Sequence, residues 1–296
     1  MSEKPKHIAR ALLDAASRRT LPLPARGIDI ALLDWGGDGP LALLHHANGF
    51  CKGMWAEVAA LLRGRFRVVA MDARGHGDSS HPDGADAYDW NHFADDLAAV
   101  AAALVGESGR PLALGVGHSF GGTAMIGAAA RRPKLFERLL LIDPVVPPPP
   151  GANITPENTP HLRRLVEGAR RRRAHWPSRT AARAYCRERK FFSTWRSEAI
   201  ELYLLDGMHE AADGSLTLKC PGAVEAAVFG SSSTVDLFAL AATVPTPTTV
   251  MWAERGDFPR SLHEALAKTL PHGRFLTAAA GHLVPMEEPA LVVAAI

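Results

Sequence analysis

At 296 residues, with 47% hydrophobic and 22% charged positions, the chain is long enough for one large core with or without an inserted subdomain, and disordered and fibrous classes are excluded. Its 33 basic residues nearly balance 31 acidic ones, so no global field points to nucleic acid or to a membrane surface, and partners are to be sought in a site. The three cysteines, Cys51, Cys186 and Cys220, are scattered without a CxxC pair and offer neither a disulfide framework nor a zinc cluster.

In chain order, Met1 to Arg10 is polar and lacks the apolar segment of a secretory signal, and no apolar run approaches a membrane span. A cytoplasmic protein without stable membrane insertion is expected. Ile8 to Ser17 reads as a short helix, ended before Pro22 and Pro24, in an arm over the core. Ile28 to Trp35 and Leu41 to His45 read as two strands joined by a hairpin-like turn at Gly36-Gly37-Asp38-Gly39-Pro40. The second ends in the loop His45-His46-Ala47-Asn48-Gly49-Phe50, ahead of a helix around Trp55 to Leu62. Phe66 to Met71 is a short strand, and Asp72 to Ser79 a glycine-punctuated turn expected to be tied by an Asp72–Arg74 pair. Trp90 to Val105 has Phe93, Leu97, Val100 and Leu104 at helical spacing, with Asp95 and Asp96 expected outward.

The apolar run Pro111 to Val116 leads into Gly117-His118-Ser119-Phe120-Gly121-Gly122, and Thr123 to Ala130 is small and helix-forming. This is strand, sharp turn, helix, with Ser119 at the apex and Gly117 and Gly121 leaving room two residues to either side. The turn lifts the hydroxyl above the sheet and starts a helix whose first NH groups, that of Phe120 nearest, point at charge developing beside Ser119. The strand Leu139 to Ile142 then closes at Asp143-Pro144. Strands alternating with helices at this rhythm predict an α/β fold with a mostly parallel sheet covered on both faces, its site beyond the carboxyl ends of the strands. Asn48, Ser119 and Asp143 all come directly after strand ends.

The rhythm breaks at Val145-Val146-Pro147-Pro148-Pro149-Pro150-Gly151, a stiff segment unable to continue sheet or helix. The chain beyond it, to about Phe229, reads as helical and basic without a buried-strand pattern, which predicts a helical cap over 145–235 between core segments 1–144 and 236–296. Arg170-Arg171-Arg172-Arg173 reads as a solvated helix face, with recruitment of an anionic substrate or headgroup as the alternative. Trp176, Tyr185, Phe191, Phe192, Trp195 and Tyr203 read as the cap's own core, some of them lining an apolar pocket. The core resumes with a strand over Thr246 to Trp252, a helix from Ser261 to Thr269, a strand from Arg274 to Thr277 and the loop Ala280-Gly281-His282-Leu283-Val284-Pro285.

Acyl transfer through serine needs a hydroxyl, an imidazole to take its proton, a carboxylate to hold the imidazole, and NH donors for the oxyanion. The order Ser119, an acid, His282, with the elbow at Gly117 to Gly121, resembles the α/β-hydrolase family. The resemblance includes the loop His46-Ala47-Asn48-Gly49, the turn Asp72 to Ser79 and the tail Gly281 to Pro285. It implies the α/β-hydrolase fold, Ser119 as nucleophile, His282 as base, and the NH groups of Phe120 and of Asn48, with Phe50 as the second choice for the latter, as oxyanion donors. Two departures stand out: Ala47 where the family has glycine, and Ala253-Glu254-Arg255-Gly256-Asp257, one residue longer than the family's Gly-x-x-Asp. The resemblance puts the acid at Asp257 first, Asp143 next and Glu254 third. Relatives that open epoxides or displace halide carry aspartate at the elbow, and Ser119 argues against both reactions.

The expectation is a serine hydrolase acting on a small-molecule, apolar, ester-like substrate (esterase, lipase or lactonase). It needs no metal or organic cofactor, and is a monomer or homodimer without nucleic-acid partners. The alternatives are a C–C bond hydrolase, a thioesterase or a cofactor-free perhydrolase with the same triad, and a non-catalytic small-molecule receptor on the same scaffold.

Overall fold

The computed structural model describes residues 3–84, 86–152 and 154–296. Met1, Ser2, Ala85 and Asn153 lie outside them, so the reading of Met1 to Arg10 is traced from Glu3 and that of 145–235 without Asn153. The main sheet takes β1 (Ser17–Leu23), β2 (Ile28–Asp34), β3 (Leu41–His45), β4 (Arg67–Met71), β5 (Leu114–His118) and β6 (Leu139–Ile142) from the first part of the chain. A small second sheet comes next, of β7 (His175–Trp176), β8 (Met208–Glu210) and β9 (Leu216–Leu218), before β10 (Thr248–Ala253) and β11 (Gly273–Ala278) complete the first. The helices are α1 (Lys4–Asp14), α2 (Ala56–Leu62), α3 (Trp90–Ser108), α4 (Phe120–Arg131), α5 (Pro160–Arg170), α6 (Arg179–Glu188), α7 (Ser197–Asp206), α8 (Gly222–Gly230), α9 (Leu237–Ala241), α10 (Arg260–Thr269), α11 (Val284–Glu287) and α12 (Pro289–Ala294).

The eight strands lie in the order β1-β2-β4-β3-β5-β6-β10-β11, parallel from β4 to β11, with β1 and β2 antiparallel at one edge. Both faces are buried, and the period of two shows how. Ala42 and Leu44 of β3 and Leu140 and Ile142 of β6 enter one core cluster, while Leu41, Leu43, Leu139 and Leu141 enter the other. The architecture is therefore the mostly parallel sheet covered on both faces that the alternation of strands and helices predicts, in the α/β-hydrolase fold that the resemblance implies.

Five expectations are corrected. β2 and β3 form no hairpin, because β4 lies between them. The Gly36-Gly37 turn passes round the start of β4, where Trp35 N donates to Val68 O at 2.9 Å and a Cβ on Gly37 would stand 2.4 Å from Phe66 O. The residues after α1 are a strand of the sheet and not an arm over the core; Pro22 is tolerated because β1 is the sheet edge, paired on one side by β2. Asp96 is not outward but buried on α3, where it accepts from Arg74 at 2.6 and 2.8 Å and from Arg26 at 2.7 Å. The partner of Asp72 is accordingly Lys52 and not Arg74. Finally, the segment between β6 and β10 is not wholly helical. Its strands, two or three residues each, are too short to leave a periodic signal in the sequence.

Candidate active site

Ser119 sits between β5 and α4 with φ 56° and ψ −124°, a strained conformation for a side-chain-bearing residue. The flanking glycines explain how the turn closes. A Cβ on Gly117 would stand 2.4 Å from Gly121 O, and one on Gly121 would stand 2.6 Å from His45 O and His46 O. Ser119 N donates to Ile142 O at 2.8 Å, which ties the apex to the neighbouring strand.

The Ser119 hydroxyl donates to His282 Nε2 at 2.9 Å, and His282 Nδ1 donates to Asp143 Oδ2 at 2.6 Å. Asp143 stands immediately after β6, is fully buried and has φ 42°, a left-handed angle that aspartate tolerates better than most residues. Its other oxygen, Oδ1, accepts from Ala253 N at 3.0 Å, so both carboxylate oxygens are occupied and the orientation is fixed. His263 on α10 adds a second imidazole, its Nε2 3.4 Å from Oδ1. The His282 loop is held from two directions. His118 Nε2 donates to His282 O at 2.8 Å, and Gly281 N donates to Glu287 Oε2 at 2.7 Å. Burial pushes His118 down to about 3, which keeps it a neutral donor.

Asp257, ranked first for the acid, is not the partner of the imidazole: it is exposed at the mouth of the cavity. Glu254 is exposed as well. The loop after β10 is pinned by Glu254 N to Ala278 O at 3.0 Å, Arg255 N to Ala280 O at 2.9 Å and Trp252 Nε1 to Phe258 O at 2.9 Å. In that path it is Phe258 that meets His282, ring edge to face at 5.1 Å. The one-residue extension thus places an aromatic ring against the histidine, and the carboxylate comes from the neighbouring strand.

The loop after β3 rests on two buried, neutral histidines. His46 Nδ1 donates to Ala47 O at 2.7 Å and its Nε2 accepts from Ala73 N at 2.9 Å; His76 Nδ1 donates to Arg74 O at 2.9 Å and its Nε2 accepts from Gly49 N at 3.0 Å. Burial lowers both, His76 to about 4. Neither contact is visible in the local sequence, since each joins this loop to the turn after β4. The Asn48 side chain is spent on Glu225 O at 3.0 Å, leaving its main-chain NH as the group that could serve a substrate. Asn48, Ser119, Phe120 and His282 line one cavity of about 1070 Å³.

The rest of that cavity comes largely from the segment between β6 and β10. Phe191, Phe192, Trp176, Tyr185 and Tyr203 line it, and Phe50 of the β3 loop packs on Tyr203 with centroids 5.9 Å apart. The arginine run is not one solvated face. It falls where α5 ends, so successive side chains diverge: Arg171 is exposed, while Arg172 turns inward to Glu225 Oε2 at 2.5 Å and to the Tyr203 hydroxyl. Sequence reasoning also passes over Lys52. Though a lysine, it is 1% exposed, with Nζ 2.6 Å from Asp72, 2.7 Å from Asp78 and 3.5 Å from Asp206 of α7. Burial works against its charge, but the carboxylates outweigh that and raise its pKa. The three thiols are free and buried, and burial pushes Cys51 well up, away from the thiolate a nucleophile needs. Among the described residues no group of three or more His, Cys, Asp or Glu is arranged to hold a metal ion, and no helix is long and apolar enough to cross a membrane.

A mostly parallel sheet, a strained serine at a strand–helix turn and a histidine–aspartate pair at the adjoining strand ends define the class of the molecule. The chain belongs to the alpha/beta hydrolase family, whose profile matches residues 42–295. Among individual proteins, it is 39% identical over 124 residues to the bifunctional esterase/perhydrolase DCH of Acinetobacter calcoaceticus, covering 41% of this chain and 43% of that protein. It is 36% identical over 107 residues to 2-(acetamidomethylene)succinate hydrolase of Mesorhizobium japonicum, 36% of each chain. These matches span less than half the length of either relative. A crystal structure of E-2-(acetamidomethylene)succinate hydrolase superimposes with a TM-score of 0.79 at 24% identity, covering 95% of this chain and 97% of that one, which is a likeness of fold.

Proposed function

We propose that the protein is a serine hydrolase that cleaves a carboxylic ester through an acyl-enzyme on Ser119. The observation that carries this reading is the continuous hydrogen-bonded line from Ser119 Oγ through His282 to Asp143, opening on the cavity. Ser119 Oγ attacks the carbonyl carbon as His282 Nε2 takes its proton. Asp143 holds the imidazole in the tautomer with a free Nε2 lone pair and stabilises the imidazolium. The oxyanion is received by the main-chain NH groups of Phe120, at the head of α4, and of Asn48. Collapse breaks the ester C–O bond, and the leaving oxygen takes the proton from His282. Water, deprotonated by the same imidazole, then releases the acid. The segment over 145–235 acts as the cap that walls the substrate, and no cofactor takes part in these steps.

A fluorophosphonate probe together with p-nitrophenyl esters of graded chain length tests this. Labelling and turnover are expected in the wild type and lost in Ser119→Ala; a Ser119→Ala protein that still labels and turns over sinks the assignment. The name of the Acinetobacter relative supports a second fate for the same acyl-enzyme, transfer to hydrogen peroxide in place of water. Peracid appearing when peroxide is added, and absent in Ser119→Ala, would place that reaction on the same serine. Acyl-CoA thioesters and diketones in the same panel separate thioester and C–C bond cleavage from ester cleavage.

A further inference from the structure

The cavity that Ser119 lines also carries cations that ester hydrolysis does not use. Arg171, Arg172, Arg173, Arg189 and Lys190 line the cavity, against the carboxylates of Glu225 and Asp257. Two of the five are engaged, Arg172 with Glu225 and Arg171 with Glu167 at 3.3 Å. Arg173, Arg189 and Lys190 have no carboxylate partner among the described residues. The two arginines are nevertheless held in place. Arg173 donates to His175 O at 2.9 Å and lies over the rings of Trp176 at 5.7 Å and Tyr185 at 5.6 Å, and Arg189 lies over the same Tyr185 ring at 4.7 Å.

Two guanidiniums on one tyrosine ring repel each other, weakly because both side chains are exposed. An anion seated near both relieves it, and a neutral substrate does not. The aromatic wall below them, with Phe191, Phe192 and Tyr203, suits an apolar stem between the reacting carbonyl and such an anion.

We propose that the cavity selects acyl compounds that carry a second, anionic group, a carboxylate or a phosphate, on an apolar stem, the carbonyl lying at Ser119 and the anion at Arg173, Arg189 and Lys190. The proposal rests on the reading of Ser119 as nucleophile for which end reacts; the anion site itself is tested by binding.

The test compares p-nitrophenyl esters of simple fatty acids with p-nitrophenyl half-esters of dicarboxylic acids of the same length, from succinic to sebacic acid. The matching anilides, which bind without ready turnover, are measured by calorimetry, and phosphonate-ended analogues show which anion is preferred. At the chain length that reaches the cations, the anion-ended member is expected to win by roughly tenfold, in kcat/KM for esters and in Kd for anilides, as a few partly exposed ion pairs allow. The preference should fall with added salt, and Arg173→Gln with Arg189→Gln should bring both ratios towards one; Lys190→Gln, at an exposed position, reads the same ratio should the double variant fold poorly. No preference at any length, or one that none of these substitutions changes, overturns the proposal. Anilides that show the preference while no ester is hydrolysed leave the anion site standing and remove the nucleophile. Esters hydrolysed alike, with anilides bound alike, do the reverse.

Discussion

The loops after β6 and β10 both offer an aspartate to the same histidine, and only one delivers it. Asp143 stands at the strand end, is fully buried, and has one oxygen on His282 and the other on Ala253 N. Asp257 lies farther along a loop tied to the end of β11 and the residues after it, and is exposed where it lines the cavity. The two are not independent: Ala253 is the last residue of β10, so the second loop begins by donating the hydrogen bond that aims the first loop's carboxylate. Position near the end of a strand decides which acid is held rigidly, and the neighbouring strand contributes orientation.

The largest effect should come from breaking the fixed side. Asp143→Asn is expected to lower kcat by about 10⁴-fold, because an amide favours the wrong imidazole tautomer, whereas Asp257→Asn should change it by about threefold or less. Esterase kinetics on both variants, with melting curves to show that each folds, check this; equal losses would erase the distinction. Next comes acid. The carboxyl ends of the strands beside Ser119 carry buried neutral imidazoles, with His45 and His76 lowered to about 4, His118 to about 3 and His46 well below the ordinary value, chiefly by burial. Unfolded histidines titrate near 6.5, so below that pH the unfolded state binds more protons. Stability should be full above about pH 6.5 and fall towards pH 4, on the order of 3 kcal/mol for a group shifted like His76. Urea melts across that range measure it, and His76→Gln should flatten the slope; a flat wild-type profile would contradict the burial argument. The smallest effect sharpens the coupling. A Cβ on Gly256 would stand 3.1 Å from Asp143 Oδ2, so Gly256→Ala should displace the carboxylate slightly and cost roughly threefold to tenfold in kcat with KM unchanged. A kcat that does not move would show the two loops to be uncoupled.

How much is legible in the sequence depends on the range of the interactions. The elbow is local: Gly117, Ser119 and Gly121 are close neighbours in the chain, and the clash that a side chain at Gly117 would cause, with Gly121 O, is encoded within five residues. The core strands and helices are legible for the same reason, through spacing of two and of about three and a half. The acid is not, because its placement depends on Ala253 N, 110 residues away in the chain, and on a loop length that no local pattern interprets. Asp96 and Arg74 are obscured in the same way. A charged side chain on an amphipathic helix is ordinarily solvated, and only the fold reveals that Arg26 and Arg74 arrive to neutralise it. The β3 loop is evident from its position, but His46 and His76, which hold it, act on backbone groups 27 residues away.

Lys52 joins parts of the chain that would otherwise look separable. It lies just past the β3 loop, yet its ammonium is shared among Asp72, Asp78 and Asp206, and Asp206, at the end of α7, also accepts from Gly53 N at 2.9 Å and Arg18 at 2.8 Å. A segment exchange that replaced 145–235 with a relative's and left out an acid at position 206 would strip a counter-charge from a buried cation and leave the Gly53 amide without an acceptor. The stretch that looks like an insertion in the chain is no detachable module in energy, and whatever recombines it with a new core must carry Lys52 and Asp206 together.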